Sequence, residues 1–307
     1  HGAVNFETVE VKFKLDKKGT PLGLTIKERK DIHKMIEEFM LLANKYVAEF
    51  IFKKRSGADT FVYRTHDSPD MEKLETFSGF AKRFGHQMDL DNEKKISSAL
   101  NKLMDEIQGK PEQNVLEQLA IRSMAKAKYT TEPKGHFGLA FPHYTHFTSP
   151  IRRYPDMMVH RLLEHYLDGG KSPDAEAWEQ KCVHSSEREK RAADAERASI
   201  KYKQVEYMAL AEEKDYDGIV SGVTEWGVFV EITETKCEGM IRVQDMDDDY
   251  YDFDLKNMRL IGSRTKKMIT LGDKVKVRVV NTDIDRRTID LEFANNDERK
   301  PRARAFR

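Results

Sequence analysis

The sequence predicts an α+β protein, with a mainly helical N-terminal part followed by a small five-stranded β-barrel. Before residue 213, apolar residues recur mostly at three- and four-residue spacing, the period of an amphipathic helix. After Asp215 the pattern changes to short β-rich runs separated by turns. Because 307 residues exceed the usual size of one domain, we expect two. These are residues 1–213 and 214–295, followed by a basic, flexible tail at 296–307.

The first elements are a hairpin, a long helix and a short strand. Within residues 1–28, apolar and charged residues alternate on both sides of a turn at Asp16–Gly19, which is the pattern of a β-hairpin. From Arg29 to Phe52 the apolar residues fall on one face of a helix. The apolar run Phe61–Tyr63 then predicts a strand.

Further helices fill the chain up to the barrel. In two places a serine followed by a proline, Ser68 and Ser172, predicts an N-cap with proline at the first helical position. The residues 135–148 are rich in Gly, His and aromatic side chains and predict a structured loop. The predicted helices run from residue 68 to about 85, from 91 to 108, from 111 to 127, through the stretch that ends at 167, and from about 172 to 213.

The last part of the chain predicts a barrel. Five short β-rich runs in about 80 residues favour the oligonucleotide-binding (OB) fold. The predicted strands are residues 218–223, 227–232, 239–243, 274–281 and 288–293.

Composition limits the classes of function. Lys+Arg and Asp+Glu both total 53, so a nucleic-acid site has to be a local basic surface. The two cysteines lack metal-ligand spacing and predict a reducing, cytoplasmic setting. Apolar runs long enough for a membrane span are absent from the sequence. We expect a monomer without a membrane partner.

The segment Thr148–Pro155 carries the strongest local signal. Ser149 can cap a helix, and two adjacent arginines, Arg152 and Arg153, offer forked donors that match phosphate oxygens. Pro155 leaves a second geometry open, in which the helix begins there and both arginines lie on the preceding loop. The alternative to a phosphate site is that both arginines pair with surface carboxylates.

Aromatic and histidine side chains accompany these arginines. His136, Phe137 and Tyr154 supply ring surfaces beside the donors, and Ser149 adds a hydroxyl group. Single-stranded nucleic acid is bound by this mixture of stacking surfaces and phosphate donors. The sequence therefore predicts a single-stranded nucleic acid as the partner.

Three segments resemble the ribonuclease II/R family. Residues 135–139 (GHFGL) and 146–156 (HFTSPIRRYPD), followed by His160-Arg161, are similar to its central motif. Residues 35–44 resemble the helix upstream of that motif, and residues 195–197 resemble a third element. The likeness extends over essentially the whole chain and is strongest to ribonuclease R. It implies the C-terminal part of the catalytic domain, followed by an RNA-binding barrel.

The resemblance implies processive 3′-to-5′ hydrolysis of RNA to nucleoside 5′-monophosphates by a two-metal mechanism with Mg²⁺. Arg152 would contact the scissile phosphate, and Glu196 matches a glutamate that affects turnover. Phe6 falls where the family clamps stacked 3′-terminal bases. Glu38, rather than Glu37, falls where a glutamate reads the ribose.

Most of these assignments have a plain structural alternative. Without the resemblance, Phe6 would be a core strand residue, since it alternates with Val4. Glu38 would lie on a solvated helix face, and Glu196 would form an ion pair on a helix surface.

The aspartate cluster that binds the metals in this family is not found in the sequence. The acidic run Asp245–Asp254 resembles it only in composition and predicts a solvated loop. In the family, these aspartates lie upstream of the motifs present here. Together with the start at His1, this predicts a C-terminal fragment whose Mg²⁺ ligands are not in this chain. Such a fragment should bind RNA without cutting it.

The barrel offers a second RNA surface. Trp226 and Phe229 flank a glycine where OB domains present stacking aromatics, and Arg242 stands where related domains often have a histidine. The runner-up function is therefore a non-catalytic OB-fold RNA-binding protein.

Overall fold

A computed structural model describes most of the chain, and its contacts divide it into two compact units. The first unit contains the described residues within 1–7, 28–108 and 116–194, and the second those within 8–27, 109–115 and 195–307. The predicted domain boundaries at 213 and 295 stay predictions. The described residues are 2–4, 11–26, 30–55, 57, 59–110 and 113–294.

The hairpin of the second unit is confirmed. Strands β1 (Val11–Leu15) and β2 (Pro21–Ile26) pair in antiparallel fashion. The Asp16 carboxylate stabilises the turn between them by accepting from the backbone N–H of Thr20 at 2.8 Å. Gly19 completes the turn at a φ of 84°, a conformation that favours glycine.

The first long helix, α1 (Asp31–Arg55), is also confirmed. Its packed side carries Asn44, Ala48 and Ile51, which are 3%, 0% and 1% exposed. The apolar face that the sequence predicted is mostly a different, adjacent face of the helix. The described residues leave that adjacent face exposed. Its exposed members are Ile32, Met35, Ile36, Phe39, Leu42, Tyr46 and Phe50.

The predicted strand at residues 61–63 is displaced, and the next helix begins later than expected. Strand β3 is Tyr63–Thr65, and helix α2 is Met71–Ala81. The cap of α2 is Asp70, whose carboxylate accepts from two N–H groups of the first turn. The prediction that Ser68 is the N-cap is therefore wrong. Gly85 follows α2 and a short 3-10 turn at a φ of 88°.

Two more helices and a strand complete the first half of the chain. Helix α3 (Glu93–Ile107) is capped by the side chain of Asn92, and α4 is Gln113–Ser123. Strand β4 (Lys128–Thr130) was not predicted from the sequence, and it pairs with β3 in antiparallel fashion.

The two remaining helices follow the predicted order. Helix α5 is Tyr154–Leu167, and α6 is Ala175–Leu210. Asp174 accepts from the backbone N–H of Glu176 at 3.1 Å, whereas the Ser172 hydroxyl accepts from the N–H of Thr60. The prediction that Ser172 caps α6 is therefore wrong, because its hydroxyl is engaged with a distant segment.

The core of the first unit joins these elements. Aromatic side chains of β3 and β4 pack between α1, α5 and the first turns of α6. Phe147, in the loop 135–153, packs against the same cluster. The buried cluster contains Ala48, Ile51, Phe61, Val62, Tyr63, Tyr129, Met158, Val159, Leu162, Tyr166 and Cys182.

The predicted five-stranded barrel is confirmed in the second unit. The barrel is closed in the order β11-β12-β7-β6-β5. Neighbouring strands are antiparallel except at β12 and β7, which meet in parallel at Asp290 and Met240. The barrel strands are β5 (Asp215–Val223), β6 (Gly227–Ile232), β7 (Glu238–Arg242), β11 (Lys274–Asp283) and β12 (Thr288–Phe293).

A second, three-stranded sheet lies between β7 and β11 in the chain. It consists of β8 (Tyr251–Asp254), β9 (Arg259–Gly262) and β10 (Met268–Thr270). The prediction that residues 245–254 form only a solvated loop is therefore wrong for residues 251–254, which form β8. Asp249 has a structural role, because its carboxylate accepts from the N–H and the hydroxyl of Thr265, both at 2.6 Å.

Candidate phosphate-binding loop and RNA-contact surfaces

The Arg152 loop, residues 147–153, leads into α5. The N–H groups of Arg152 and Arg153 donate to the carbonyl oxygen of Ser149, at 3.3 and 3.0 Å. Helix α5 begins at Tyr154 after an extended Arg153, so the prediction that Ser149 caps this helix is wrong. The alternative geometry, in which both arginines precede the helix, is confirmed.

The two arginines have different surroundings. The Arg153 Nη2 donates to Oδ1 of Asp156 at 2.7 Å, and the Asp156 side chain is 0% exposed. The Arg152 side chain is exposed and forms no ion pair with any residue described in the structure. The guanidinium of Arg152 is therefore available to a phosphate, whereas that of Arg153 is paired with a buried carboxylate.

Asn44 of α1 holds the start of the same loop. Its Oδ1 accepts from the N–H groups of Phe147 and Thr148, at 2.9 and 3.2 Å, and its Nδ2 donates to the hydroxyl of Tyr144 at 3.0 Å. The His160 ring stacks on Phe147 with centroids 4.1 Å apart, and its Nε2 lies 2.8 Å from the Phe147 carbonyl oxygen. The loop is thus fixed by side-chain contacts rather than by regular secondary structure.

His136 is a neutral structural residue near physiological pH. It caps the 3-10 turn Phe137–Leu139, where its side chain accepts from the N–H of Leu139. Burial, together with the nearby His66 and Arg64, lowers the pKa of His136 to about 3. Contact with RNA through this ring would therefore involve stacking or a neutral hydrogen bond.

A second histidine, His146, directly precedes the Arg152 loop. Burial, together with the positive charges of Arg153 and Arg64, lowers its pKa to about 3. The Tyr129 hydroxyl lies 2.8 Å from Nδ1 of His146, as expected for a donor meeting an unprotonated nitrogen. The Arg64 guanidinium covers the Tyr129 ring at 4.5 Å and binds Glu189 through two nitrogens.

A cavity of about 860 Å³ opens beside the 3-10 turn. Phe137, a predicted RNA contact, lines it and is half-buried. Side chains of α3 form part of its wall. Its lining includes His66, Ser97, Asn101, Lys134, His136 and Phe141.

The remaining predicted residues of the helical part are spread out. Tyr154 is 55% exposed at the first position of α5. Glu38 on α1 and Glu196 on α6 are both exposed, and Glu196 belongs to the second unit. Phe6 lies outside the described residues. The roles of these side chains stay predictions.

The three predicted barrel residues lie on β6 and β7 or next to them. Trp226 precedes β6 and is 74% exposed. Phe229 is half-buried on the outer side of β6, opposite Met240 of β7. Arg242 is paired through its Nη2 with Asp290 at 3.0 Å, so RNA would compete with that ion pair.

The described residues do not form a binding site for Mg²⁺. Within them, no group of three or more His, Cys, Asp or Glu side chains could hold a metal ion. Asp156 is buried, and its Oδ1 is already occupied by Arg153.

Two residues that organise the loop received no role from the sequence. Asn44 and Asp156 both lie within segments that resemble the family. The local signal for Asn44 is a polar residue that directly follows the apolar run Phe39–Ala43. That signal does not reveal its partners, which lie more than 100 residues away.

Comparison with known proteins agrees with both parts of the fold. Residues 1–169 match the model of the RNB domain family. The chain belongs to the ribonuclease II/R family. Residues 210–293 match the S1 RNA binding domain, which covers the barrel.

The similar curated proteins include several ribonucleases R. Ribonuclease R 1 of Lactococcus lactis is 38% identical over 298 residues, which cover 95% of this chain and 36% of that protein. Ribonuclease R of Aquifex aeolicus is 36% identical over 301 residues, 97% of this chain and 42% of that protein. The chain thus spans about two fifths of the length of these relatives.

Solved structures give the same result. The chain is similar to Mycoplasma genitalium RNase R, solved in complex with ribose-methylated single-stranded RNA, with a TM-score of 0.87 and 26% identity. That likeness covers 95% of this chain and 46% of the other. Yeast Ssd1, described as a pseudonuclease, gives a TM-score of 0.60 and 26% identity over 73% of this chain and 28% of its own.

Among the residues that the structure describes, no helix combines the length and apolar character of a membrane span.

Proposed function

We propose that this chain is the RNA-holding part of a processive 3′-to-5′ exoribonuclease that converts single-stranded RNA to nucleoside 5′-monophosphates. The observation that carries the proposal is the exposed Arg152, on a loop whose backbone is held by buried Asn44 and Asp156. A rigidly held guanidinium is suited to the developing negative charge on a phosphate. The relatives named ribonuclease R support this reading.

The finer parts of the proposal concern the whole protein. Hydrolysis would use two Mg²⁺ ions bound by residues outside this chain, so the 307-residue chain alone would bind RNA without cutting it. Glu196 would influence turnover, Phe6 would stack on bases, and Glu38 would contact the ribose. A monomeric state and a cytoplasmic setting belong to the same proposal, and light scattering checks the first.

A second candidate function is RNA binding without catalysis. It is favoured by the likeness to yeast Ssd1, which is described as a pseudonuclease. The barrel residues Trp226, Phe229 and Arg242 would then carry the function. The two candidates differ in what the Arg152 loop does, because only the first needs it to act on a scissile phosphate.

The first test measures RNA affinity of the purified chain by fluorescence anisotropy with a 3′-tailed oligonucleotide. We expect Arg152→Ala to weaken binding about tenfold, since a hydrogen bond to a charged group contributes about 1.5–3 kcal/mol. Trp226→Ala should weaken it to a similar extent through lost stacking. Arg122→Ala and Tyr250→Ala are matched controls, because both replace exposed side chains outside the proposed surfaces.

The second test separates catalysis from binding. In an active protein that contains this chain, Arg152→Ala should reduce turnover far more than affinity, by about 3 kcal/mol in activation free energy. Equal losses in both, or no loss, favour the second candidate. Robust Mg²⁺-dependent release of nucleotides by the 307-residue chain alone would contradict the proposal that the chain binds without cutting.

A further inference from the structure

Asn44 fixes one end of the Arg152 loop from inside the protein. The side chain is 3% exposed, although asparagine is usually a surface residue. Its amide oxygen accepts from two successive N–H groups, those of Phe147 and Thr148. Its amide nitrogen is oriented by the Tyr144 hydroxyl, so the side chain cannot rotate without losing three hydrogen bonds.

Asp156 fixes the other end of the loop from a different helix. Its side chain is 0% exposed, and Oδ1 accepts from the N–H of Ser149 and from Nη2 of Arg153, both at 2.7 Å. The three successive N–H groups of residues 147–149 are therefore all bound by two buried side chains. Arg152, three residues further on, projects from this fixed backbone into solvent.

These buried polar groups are costly to the fold. Asp156 Oδ2 and Arg153 Nε are buried and have no hydrogen-bond partner among the described atoms, and the same holds for Oγ1 of Thr148. An apolar contact at such a place would commonly be at least as stabilising as a buried ion pair. The arrangement therefore calls for an explanation other than stability, and the loop geometry supplies one.

We propose that Asn44 and Asp156 are positioning residues, which hold the Arg152 loop so that the Arg152 guanidinium meets an RNA phosphate in one geometry. The inference rests on the proposed function, since it assigns Arg152 to a phosphate. A backbone that is ordered before binding loses less entropy when the arginine engages, so affinity rises without a new contact.

The test is a double-mutant cycle on the 307-residue chain, with Trp226→Ala present throughout to reduce binding by the barrel. Affinity for a single-stranded oligonucleotide is measured against salt concentration. Arg152→Ala should lower the slope of log affinity against log salt by about 0.7, the value for one phosphate contact on a single strand. Asn44→Leu should lower affinity about five- to tenfold and reduce the slope by a similar amount.

The decisive variant combines Asn44→Leu with Arg152→Ala. If Asn44 acts through Arg152, the double variant binds no more weakly than Arg152→Ala alone. Asp156→Ala should behave in the same way. A merely structural role would leave the salt slope unchanged and make the losses additive.

Conservative variants guard against misfolding. Asn44→Asp keeps the acceptor for both loop N–H groups, and Asp156→Asn keeps an acceptor for Ser149, so both should retain affinity within about threefold. Thr145→Val is the matched control, because it removes a buried hydrogen bond to Val62 just before the loop without touching it. It should lower stability and leave the salt slope unchanged.

The outcomes separate the two proposals. If Arg152→Ala weakens binding but Asn44→Leu and Asp156→Ala do not, or if their losses add to it, the positioning inference alone is overturned. If Arg152→Ala has no effect on affinity or slope, the assignment of Arg152 to a phosphate fails, and the inference fails with it.

Discussion

Two buried histidines, His136 and His146, have strongly altered acid–base behaviour. Burial lowers the pKa of each to about 3, from an ordinary value of 6.5. The unfolded chain therefore binds protons between pH 6.5 and 3 that the folded chain excludes. The contribution of the two neutral rings to stability is fully present above about pH 6.5, and it is lost as the pH decreases towards 3.

A shift from pH 7.5 to 5.5 should therefore lower the free energy of unfolding by about 2–3 kcal/mol through these two rings. Urea unfolding at both pH values measures the change. His136→Asn with His146→Asn keeps an acceptor near each Nδ1 and removes the titration, so the difference should shrink. The control is His184→Asn, on an exposed ring. An equal pH dependence in the double variant and the parent chain would contradict the assignment.

At the residue scale, the sequence identified the exposed arginine but not its supports. Arg152 and Arg153 are equivalent as a sequence pair, and only the buried carboxylate of Asp156 distinguishes them. Asn44 reaches its partners across more than 100 positions. Such contacts depend on how α1 and α5 pack, which periodicity does not determine.

At the element scale, the two wrong helix caps share one cause. Both segments read Ser-Pro-Asp, at residues 68–70 and 172–174. Serine before proline is a good cap by local rules, but in both cases the aspartate two positions later accepts from the helix N–H groups. Helix α2 begins at Met71, so Pro69 lies before the helix rather than in its first turn.

Removing the Asp70 cap should have a measurable cost. Asp70→Ala leaves the N–H groups of Glu72 and Lys73 without their acceptor, so we expect a loss of about 1 kcal/mol in the free energy of unfolding. Glu75→Ala, on the exposed side of the same helix, should change stability by at most about 0.5 kcal/mol. Equal effects of the two variants in chemical denaturation would argue against the cap.

The strands show where alternation is informative. The five barrel strands were predicted because runs of five to ten residues, rich in apolar and β-branched side chains, recur between turns. β8, β9 and β10 have three or four residues each, and β8 is half aspartate. Strands this short are stabilised by their neighbours, so their own sequence carries a weak signal.

At the scale of the whole molecule, each compact unit contains one cysteine. Cys182 and Cys237 are both 0% exposed, and burial raises the pKa of their thiols to about 12 and about 11. A buried, protonated thiol reacts slowly with disulfide reagents. The two side chains therefore report separately on the opening of the two units.

We expect neither thiol to react with Ellman's reagent in native buffer, and both to react in denaturant. Cys182→Ala leaves a reporter for the second unit, and Cys237→Ala leaves one for the first. Reactivity against urea concentration then gives the midpoint for each unit. Rapid reaction of either single-cysteine variant without denaturant would show that its unit opens under native conditions.

The family and architecture of the whole molecule could be read from the sequence because its motifs are long and its β pattern is regular. The structure confirms the predicted mixture of helices and strands and the closed barrel, and the matching domain families agree with it. The residues that arrange the Arg152 loop could not be read in this way, because their partners come from separate helices.

The buried anchors of the Arg152 loop have a consequence for hydrogen exchange. Amide protons in loops usually exchange with solvent within seconds, yet those of residues 147–149 are bound by Asn44 and Asp156. These protons should exchange as slowly as those in the middle of α5. The amide of Lys18, which donates to Asp16 in an exposed turn, should exchange quickly despite a 2.8 Å hydrogen bond. A surface loop with helix-like protection would indicate that its geometry persists for as long as the surrounding unit stays folded.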